Sequence, residues 1–356
     1  MDLKIIKTDS NSLKPRPKES ELGFGIYTTD HMFLMDYDEA NGWHHPRITP
    51  YQPLQLDPAA MVLHYNQEVF GGLKAYHIKP GKIGLFRPKK NINRFNDSAR
   101  RMVMPEVNPD LFLEAMNALI QVDADWLPKS EGTSLYIRPT MIATEAALGV
   151  KTSKQYLFYI ILSPVGAYYP EGFSPTRIFV SDEYVRAVQG GAGEAKTSCN
   201  YGPTLYVSQK VSRQGYTQVL WLDAKERKYV EEVGTSNVFF LINDELVTPP
   251  LSGTILAGVT RDSVIQLAQH WGLKISERMI SIDEVVDACD KGTMNEMFAS
   301  GTAAVISPVG EIGYKGKNIK IGDGATGKLA QRFYDEITGI QNGVKKDPFN
   351  WRVMVV

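Results

Sequence analysis

The sequence predicts an α+β protein of two domains, and three observations carry that expectation. The chain has 356 residues, 43% of them hydrophobic, which is more than a single core ordinarily serves. Near its middle, Ser163 to Pro175 contains three prolines and two glycines between two strand-like runs, which suits a linker. Beyond it, short β-type runs joined by tight turns suggest antiparallel strands closing on themselves, with helices outside. The expected boundaries are residues 1–163 for a small α/β domain, 164–176 for the linker, and 177–356 for a larger domain built on a closed, antiparallel-type β-barrel coated by helices.

Residues 1–20 are polar and broken by prolines, as in Lys14-Pro15-Arg16-Pro17-Lys18, and read as an extended or partly mobile arm. Ile92, Phe95, Ala99 and Met102 recur at helical spacing, and Leu111 to Trp126 continues that pattern. Tyr156 to Leu162 and Arg177 to Val180 read as strands on either side of the linker. Thr217 to Leu222 leads through a charged turn into Tyr229-Val230-Glu231-Glu232, and Val238 to Ile242 joins Glu245 to Thr248 through Asn243-Asp244. Helices follow at Arg261 to Trp271, stopped by Gly272, then at Ile282 to Cys289 and Leu329 to Ile337. This order is not the strand–helix alternation of a dinucleotide-binding sheet.

Composition narrows the function classes. A formal charge of −1 offers no basic footprint for nucleic acid. The two cysteines, Cys199 and Cys289, cannot build a disulfide framework or a four-ligand zinc site. His44-His45 has no further ligand nearby in sequence, so no metal is expected. No stretch approaches the ~20 apolar residues of a membrane span, and no signal-peptide pattern opens the chain, so a cytoplasmic protein is expected.

Several segments offer chemistry, each with a plainer alternative. Gly190-Gly191-Ala192-Gly193-Glu194-Ala195-Lys196 surrounds one amine with small residues. It suits either a surface turn or a lysine that must reach a carbonyl beside a planar ring lying close to the backbone. Glu232-Val233-Gly234-Thr235-Ser236-Asn237 places a carboxylate before a glycine turn, where Glu232 either edges a hairpin or faces a heteroaromatic nitrogen and keeps it protonated. Glu231, on the alternate face, reads as the solvent residue. Leu256-Ala257-Gly258-Val259-Thr260 opens a helix, and Thr260 either caps it or joins its free N–H groups in binding an anion. Ala299-Ser300-Gly301-Thr302-Ala303 is a second small, hydroxyl-bearing turn that could grip the same anion. Arg94 lies on a basic helix and is either solvated or turned inward toward a phosphate. Tyr136-Ile137-Arg138-Pro139 is expected to end a strand, lining a pocket or forming an ion pair there. The glycine-flanked aromatics Phe24, Tyr65 and Phe70 suit a cavity wall or a core.

Taken together, Gly23-Phe24-Gly25, Leu63-His64-Tyr65, Phe86-Arg87-Pro88, Asn93-Arg94, Tyr136-Ile137-Arg138-Pro139, Lys196 through Thr204, Glu232-Val233-Gly234-Thr235, Thr248-Pro249-Pro250-Leu251 and Gly301-Thr302-Ala303 closely resemble the branched-chain amino-acid aminotransferases. These are fold-type IV enzymes of pyridoxal 5′-phosphate, and the likeness runs from about Gly23 to Trp351. The resemblance implies that Lys196 forms the Schiff base and shuttles the proton, that Glu232 binds the pyridine nitrogen, and that Tyr201 bonds the ring oxygen. It places the phosphate on Arg94, Val259, Thr260 and Thr302, and counts Thr235 among the cofactor contacts as well. It sets the substrate side chain against Phe24, Tyr65, Phe70 and Tyr136, the substrate carboxylate near Thr235 and Ala303, and the distal carboxylate of glutamate near Arg138. Leu148 and Val150 match a loop that the family contributes from a neighbouring subunit, which implies a homodimer. The implied reaction moves the amino group of leucine, isoleucine or valine to 2-oxoglutarate, leaving the 2-oxo acid and glutamate. Ala304 and Ser307 stand where mammalian members carry a Cys-x-x-Cys redox switch, so thiol regulation there is excluded. A D-amino-acid aminotransferase or an aminodeoxychorismate lyase of the same fold, or a non-catalytic binding homologue, are the alternatives.

Overall fold

The computed structural model describes residues 2–79, 81–166 and 173–355. Residues 167–172, the centre of the expected linker, lie outside the described residues. The chain divides into two compact units, Met1–Pro170 with Ala195–Ser198 and Gly339–Val356, and Glu171–Glu194 with Cys199–Thr338.

In the first unit, eight strands follow one another in the order Lys4–Ile5, Gly42–Pro50, His31–Asp38, Gln155–Val165, Ser134–Ala143, Leu73–Lys79, Lys82–Phe86 and Arg352–Met354. Glu68–Phe70 also pairs with Ser134–Ala143. The helices Pro88–Arg101 and Pro109–Val122 turn their periodic apolar faces onto this sheet. Asn108 starts the second of them by accepting from the N–H groups of Asp110 and Leu111, with Pro109 preset at the first helical position. Phe95 and Phe112 each meet Phe158 of the sheet edge-on, at 5.6 and 4.7 Å between ring centres.

The N-terminal arm makes specific contacts with this unit. The ammonium of Lys14 donates to Thr28 Oγ1 at 2.8 Å and to the Thr29 carbonyl at 2.7 Å. The guanidinium of Arg16 lies over the Trp126 ring and bonds the buried Asp30 carboxylate at 2.9 Å, which also accepts from Trp126 Nε1.

The second unit corrects the expected closed barrel. Its sheet runs Val230–Val233, Gln218–Leu222, Thr176–Ser181, Val305–Tyr314, Met294–Gly301, Asn237–Ile242, Glu245–Thr248 and Ile275–Glu277, with Lys317–Lys320 paired to Val305–Tyr314. The two edge strands form no ladder with each other; beyond them a single bridge joins Tyr229 to Ser281. With only four and three residues, they end before a ladder can close. The sheet is also mixed, because Thr176–Ser181 runs parallel to both its neighbours and Glu245–Thr248 parallel to Ile275–Glu277. The parallel pairs follow from long crossovers: the chain between Thr176–Ser181 and Gln218–Leu222 carries the helix Thr204–Ser212, whose Val207 and Val211 pack on Val219 and Trp221.

The remaining expected elements form where the periodicity placed them. Asn243 and Asp244 take left-handed conformations, φ 47° and 62°, in the two-residue hairpin they were expected to make. The helix Val259–His270 ends before Gly272 at φ 69°, and Ile282–Asp290 and Lys328–Gln341 follow. Among the described residues no helix is long and apolar enough to cross a membrane.

Candidate active site

Lys196 belongs to the first unit and is anchored through its backbone. Its N–H donates to Ser98 Oγ at 2.9 Å and its carbonyl accepts from the Phe70 N–H at 3.0 Å. Ser98 lies on the helix Pro88–Arg101 one turn after Arg94, whose carbonyl takes the Ser98 hydroxyl at 2.9 Å. Lys196 is therefore not a residue on a free surface turn; the half-buried amine lies 4.7 Å from the centre of the Phe70 ring. Half-buried Arg94 reaches toward Asn91 Oδ1, 3.3 Å from Nη2.

The aromatics gather around the same point. Arg138 Cζ lies 4.9 Å from the Phe70 ring centre, Arg138 Nη2 donates to the Tyr136 hydroxyl at 3.1 Å, and the Phe24 ring meets Tyr136 edge-on at 5.0 Å. Phe24 is presented by a turn whose Gly23 and Gly25 both have positive φ, 56° and 72°. A Cβ on Gly72 would overlap the Tyr136 hydroxyl, so that glycine gives the phenol its place. Tyr136 and Arg138 lie inside the strand Ser134–Ala143, not at its end as expected; their alternation puts both side chains on one face. Tyr65 bonds the carbonyl of Leu148 through its hydroxyl, while the side chains of Leu148 and Val150 are exposed, Val150 by 85%.

The second unit brings together the carboxylate and the two small turns. Asn237 and Ser300 are cross-strand partners, so the turns at Thr235-Ser236 and Gly301-Thr302 lie at the same end of the sheet. Glu232 Oε1 accepts from Asn237 Nδ2 at 3.1 Å and from the Leu256 N–H at 3.0 Å, which ties the carboxylate to the segment leading into the helix Val259–His270. Asn237 Nδ2 also holds the Leu256 carbonyl, and a Cβ on Gly258 would overlap its amide oxygen. Glu232 is not at an exposed hairpin edge; it is buried.

Thr260 does not cap the helix. The cap position is Gly258, no side chain closes it, and buried Thr260 stands at the second helical position. The first-turn N–H groups of Val259 and Thr260 and the Thr260 hydroxyl therefore belong to a helix end of positive potential. Thr302 and Ala303, both half-buried, form the turn after the strand Met294–Gly301. Thr235 is exposed beside Gly234, and Tyr201 precedes the helix Thr204–Ser212, its carbonyl taking the Thr204 hydroxyl at 2.7 Å.

Other features escaped the sequence reading. Arg186 Nε lies 3.0 Å from Glu232 Oε2 as a close ion pair, although its N–H is not aligned into a hydrogen bond. Nothing periodic marks Arg186, which comes from an irregular segment; Asn237 stood in view within the glutamate motif but without a role. Glu231 is buried too, because every residue of Val230–Val233 is covered on both faces, and burial pushes its carboxyl pKa up. Gly193 has a packing constraint of its own, since a Cβ there would press on Ala187 and on the Thr254 carbonyl. His44 and His45 also gain a third potential ligand in Asp36, within 4.8 Å, but Arg47 already bonds that carboxylate at 2.5 Å.

In the second unit a buried carboxylate bonds the segment leading into a helix start that no side chain caps; in the first unit a lysine is anchored by its backbone. Each by itself is a group that amino-group transfer uses, and likeness to known proteins agrees. Residues 68–312 match the model of the amino-transferase class IV family. The chain belongs to this family. Relatives match this class IV chain over nearly its whole length: a Bacillus subtilis protein named branched-chain-amino-acid transaminase 1 is 56% identical over 96% of each chain. A second from that organism, branched-chain-amino-acid aminotransferase 2, is 53% identical over 97% of this chain and 95% of its own. Among solved structures, the Escherichia coli branched-chain amino acid aminotransferase is 27% identical, with a TM-score of 0.74, covering 92% of this chain and 99% of that one. The T.th. branched-chain amino acid aminotransferase, solved with pyridoxamine 5′-phosphate, gives 0.76 at 25% identity over 91% and 98%.

Proposed function

We propose that this class IV aminotransferase is a branched-chain amino-acid transaminase that uses pyridoxal 5′-phosphate and passes the amino group of leucine, isoleucine or valine to 2-oxoglutarate. The observation that carries the cofactor reading is Glu232, a buried carboxylate held by Asn237 and Leu256 next to the uncapped start of Val259–His270. Those residues fit an aromatic nitrogen base with an anionic arm: the carboxylate favours a protonated ring nitrogen, and the helix N–H groups with Thr260 and Thr302 favour a phosphate. When bound, pyridoxal phosphate supplies the electron sink that transamination needs.

The protein's own part is to position groups and move a proton. Lys196 provides the amine that takes the proton from the substrate Cα and returns it, its backbone fixed by Ser98 and Phe70 so that only the side chain must move. Arg94 adds a cation for the phosphate, and Tyr201 a hydroxyl for the ring oxygen. Phe24, Tyr65, Phe70 and Tyr136 form the apolar wall for a branched side chain, where each methylene is worth about 0.8 kcal/mol, so discrimination among the three substrates is modest. Arg138, linked to Tyr136, receives the distal carboxylate of glutamate, while Thr235 and Ala303 stand near the α-carboxylate. The exposed apolar Leu148 and Val150 support a homodimer in which this loop meets a second copy.

The test is an absorption spectrum of the purified protein before and after L-leucine, and again after 2-oxoglutarate. Conversion of the visible cofactor band and its return establish both half-reactions; a band that answers only to D-alanine removes the substrate assignment, and a protein that never takes up the cofactor removes the reading altogether.

A further inference from the structure

Ser98 stands inside the helix Pro88–Arg101 and is only 2% exposed, a place where alanine would serve the helix better. Its hydroxyl makes two bonds. It donates to the Arg94 carbonyl one turn back at 2.9 Å, and its oxygen accepts the Lys196 N–H, also at 2.9 Å. The first bond commits the one hydroxyl proton to the helix, which turns the oxygen lone pairs to the lysine segment.

Lys196 is held on its other side by a strand. Its carbonyl accepts from the Phe70 N–H at 3.0 Å, at the end of Glu68–Phe70, which pairs with Ser134–Ala143. Loss of the Ser98 acceptor therefore leaves the lysine attached through the strand but able to turn about that attachment. Arg94 and Ser98, four residues apart, share one face of the same helix. The cation that the cofactor reading gives to the phosphate and the hydroxyl that latches the lysine backbone thus keep a fixed spacing.

We propose that Ser98 is a positioning residue for the Lys196 amine: its hydroxyl sets where the lysine meets the carbonyl of the cofactor and takes no part in holding the cofactor itself. It acts through the Lys196 backbone alone. An amine misplaced by about 1 Å reacts far more slowly with a carbonyl, whereas contacts to a phosphate and a ring nitrogen do not depend on where the amine lies. This rests on the cofactor reading above and adds to it a residue that sets the geometry of its covalent capture.

Two ligands separate capture from holding. Full-length protein freed of cofactor is titrated with pyridoxamine 5′-phosphate, which has no aldehyde and reports holding alone. A second sample receives saturating pyridoxal 5′-phosphate, whose aldehyde condenses with the Lys196 amine with loss of one water and gives a visible band. In Ser98→Ala the dissociation constant for pyridoxamine 5′-phosphate should stay within about twofold of the wild type, while the rate of band formation falls about tenfold. Equal losses with both ligands would make the hydroxyl part of the general shape of the site and overturn the proposal, as would an unchanged rate; neither outcome touches the cofactor reading. A wild type that binds neither ligand overturns that reading and the proposal together. Should Ser98→Ala not fold, Ser98→Cys, whose sulfur is a weak acceptor, decides by the same comparison.

Discussion

The guanidinium of Arg186 lies 3.0 Å from the carboxylate of Glu232, and both side chains are almost completely withdrawn from water. Removing one member of such a pair leaves a buried charge uncompensated, which ordinarily costs about 3–5 kcal/mol. Arg186→Met should therefore lower unfolding stability by about 3 kcal/mol, toward the lower end because Asn237 and Leu256 still hold Glu232. Denaturant melts of Arg186→Met, Glu232→Gln and the double variant measure it. The double variant should recover most of the loss, and strict additivity would show that the two residues do not act together.

Lys196→Ala should abolish amino transfer while the chain folds normally, since the Lys196 backbone, not its side chain, makes the bonds to Ser98 and Phe70. Its absorption spectrum should show cofactor that is retained but exchangeable on dialysis. Wild-type turnover in this variant would remove the lysine from the mechanism.

Glu231 links stability to pH in a direction that can be worked out. Its carboxyl pKa is raised in the folded protein, chiefly by burial, above the ordinary value of about 4.3. The unfolded chain therefore loses this proton first as pH rises, so the contribution is fully present below the unfolded pKa and is lost as pH climbs through the folded one. In cofactor-free protein, Glu231→Gln should gain stability relative to the wild type across that window and by a constant amount above it. Urea melts at a series of pH values report the difference; a gain that grows toward acid instead would contradict it.

Tyr136→Phe removes the hydroxyl that accepts from Arg138 Nη2 at 3.1 Å. Arg138 already has a buried Nε without a hydrogen-bond partner, so the guanidinium loses a fixed orientation. A charge-assisted bond is worth about 1.5–3 kcal/mol, and the expected fall in kcat/KM for 2-oxoglutarate is about tenfold or more, with leucine changed far less. Equal losses for both substrates would place the hydroxyl in general binding rather than in recognition of the distal carboxylate.

Local pattern carried much of this protein. The spacing of Ile92, Phe95 and Ala99 marked a helix that forms, and Asn243-Asp244 marked a hairpin turn that forms with both residues at positive φ. These are properties of neighbours in sequence: periodicity and turn preference act over a few residues and can be read there. Lys196, Glu232 and the two small turns could be singled out for the same reason, each being a short run with its own conformational logic.

What the sequence determined by itself was the set of elements, the family resemblance and the side chains able to do the chemistry. The tertiary structure decided the rest. It left the second sheet open because its edge strands are too short to meet, and it moved Glu231 from the expected surface into the interior because both faces of Val230–Val233 are covered. It also chose Arg186 as the partner of Glu232. Pattern could not foretell these outcomes, because which charge is buried beside which depends on the long-range packing of segments that carry no trace of one another in their local sequence.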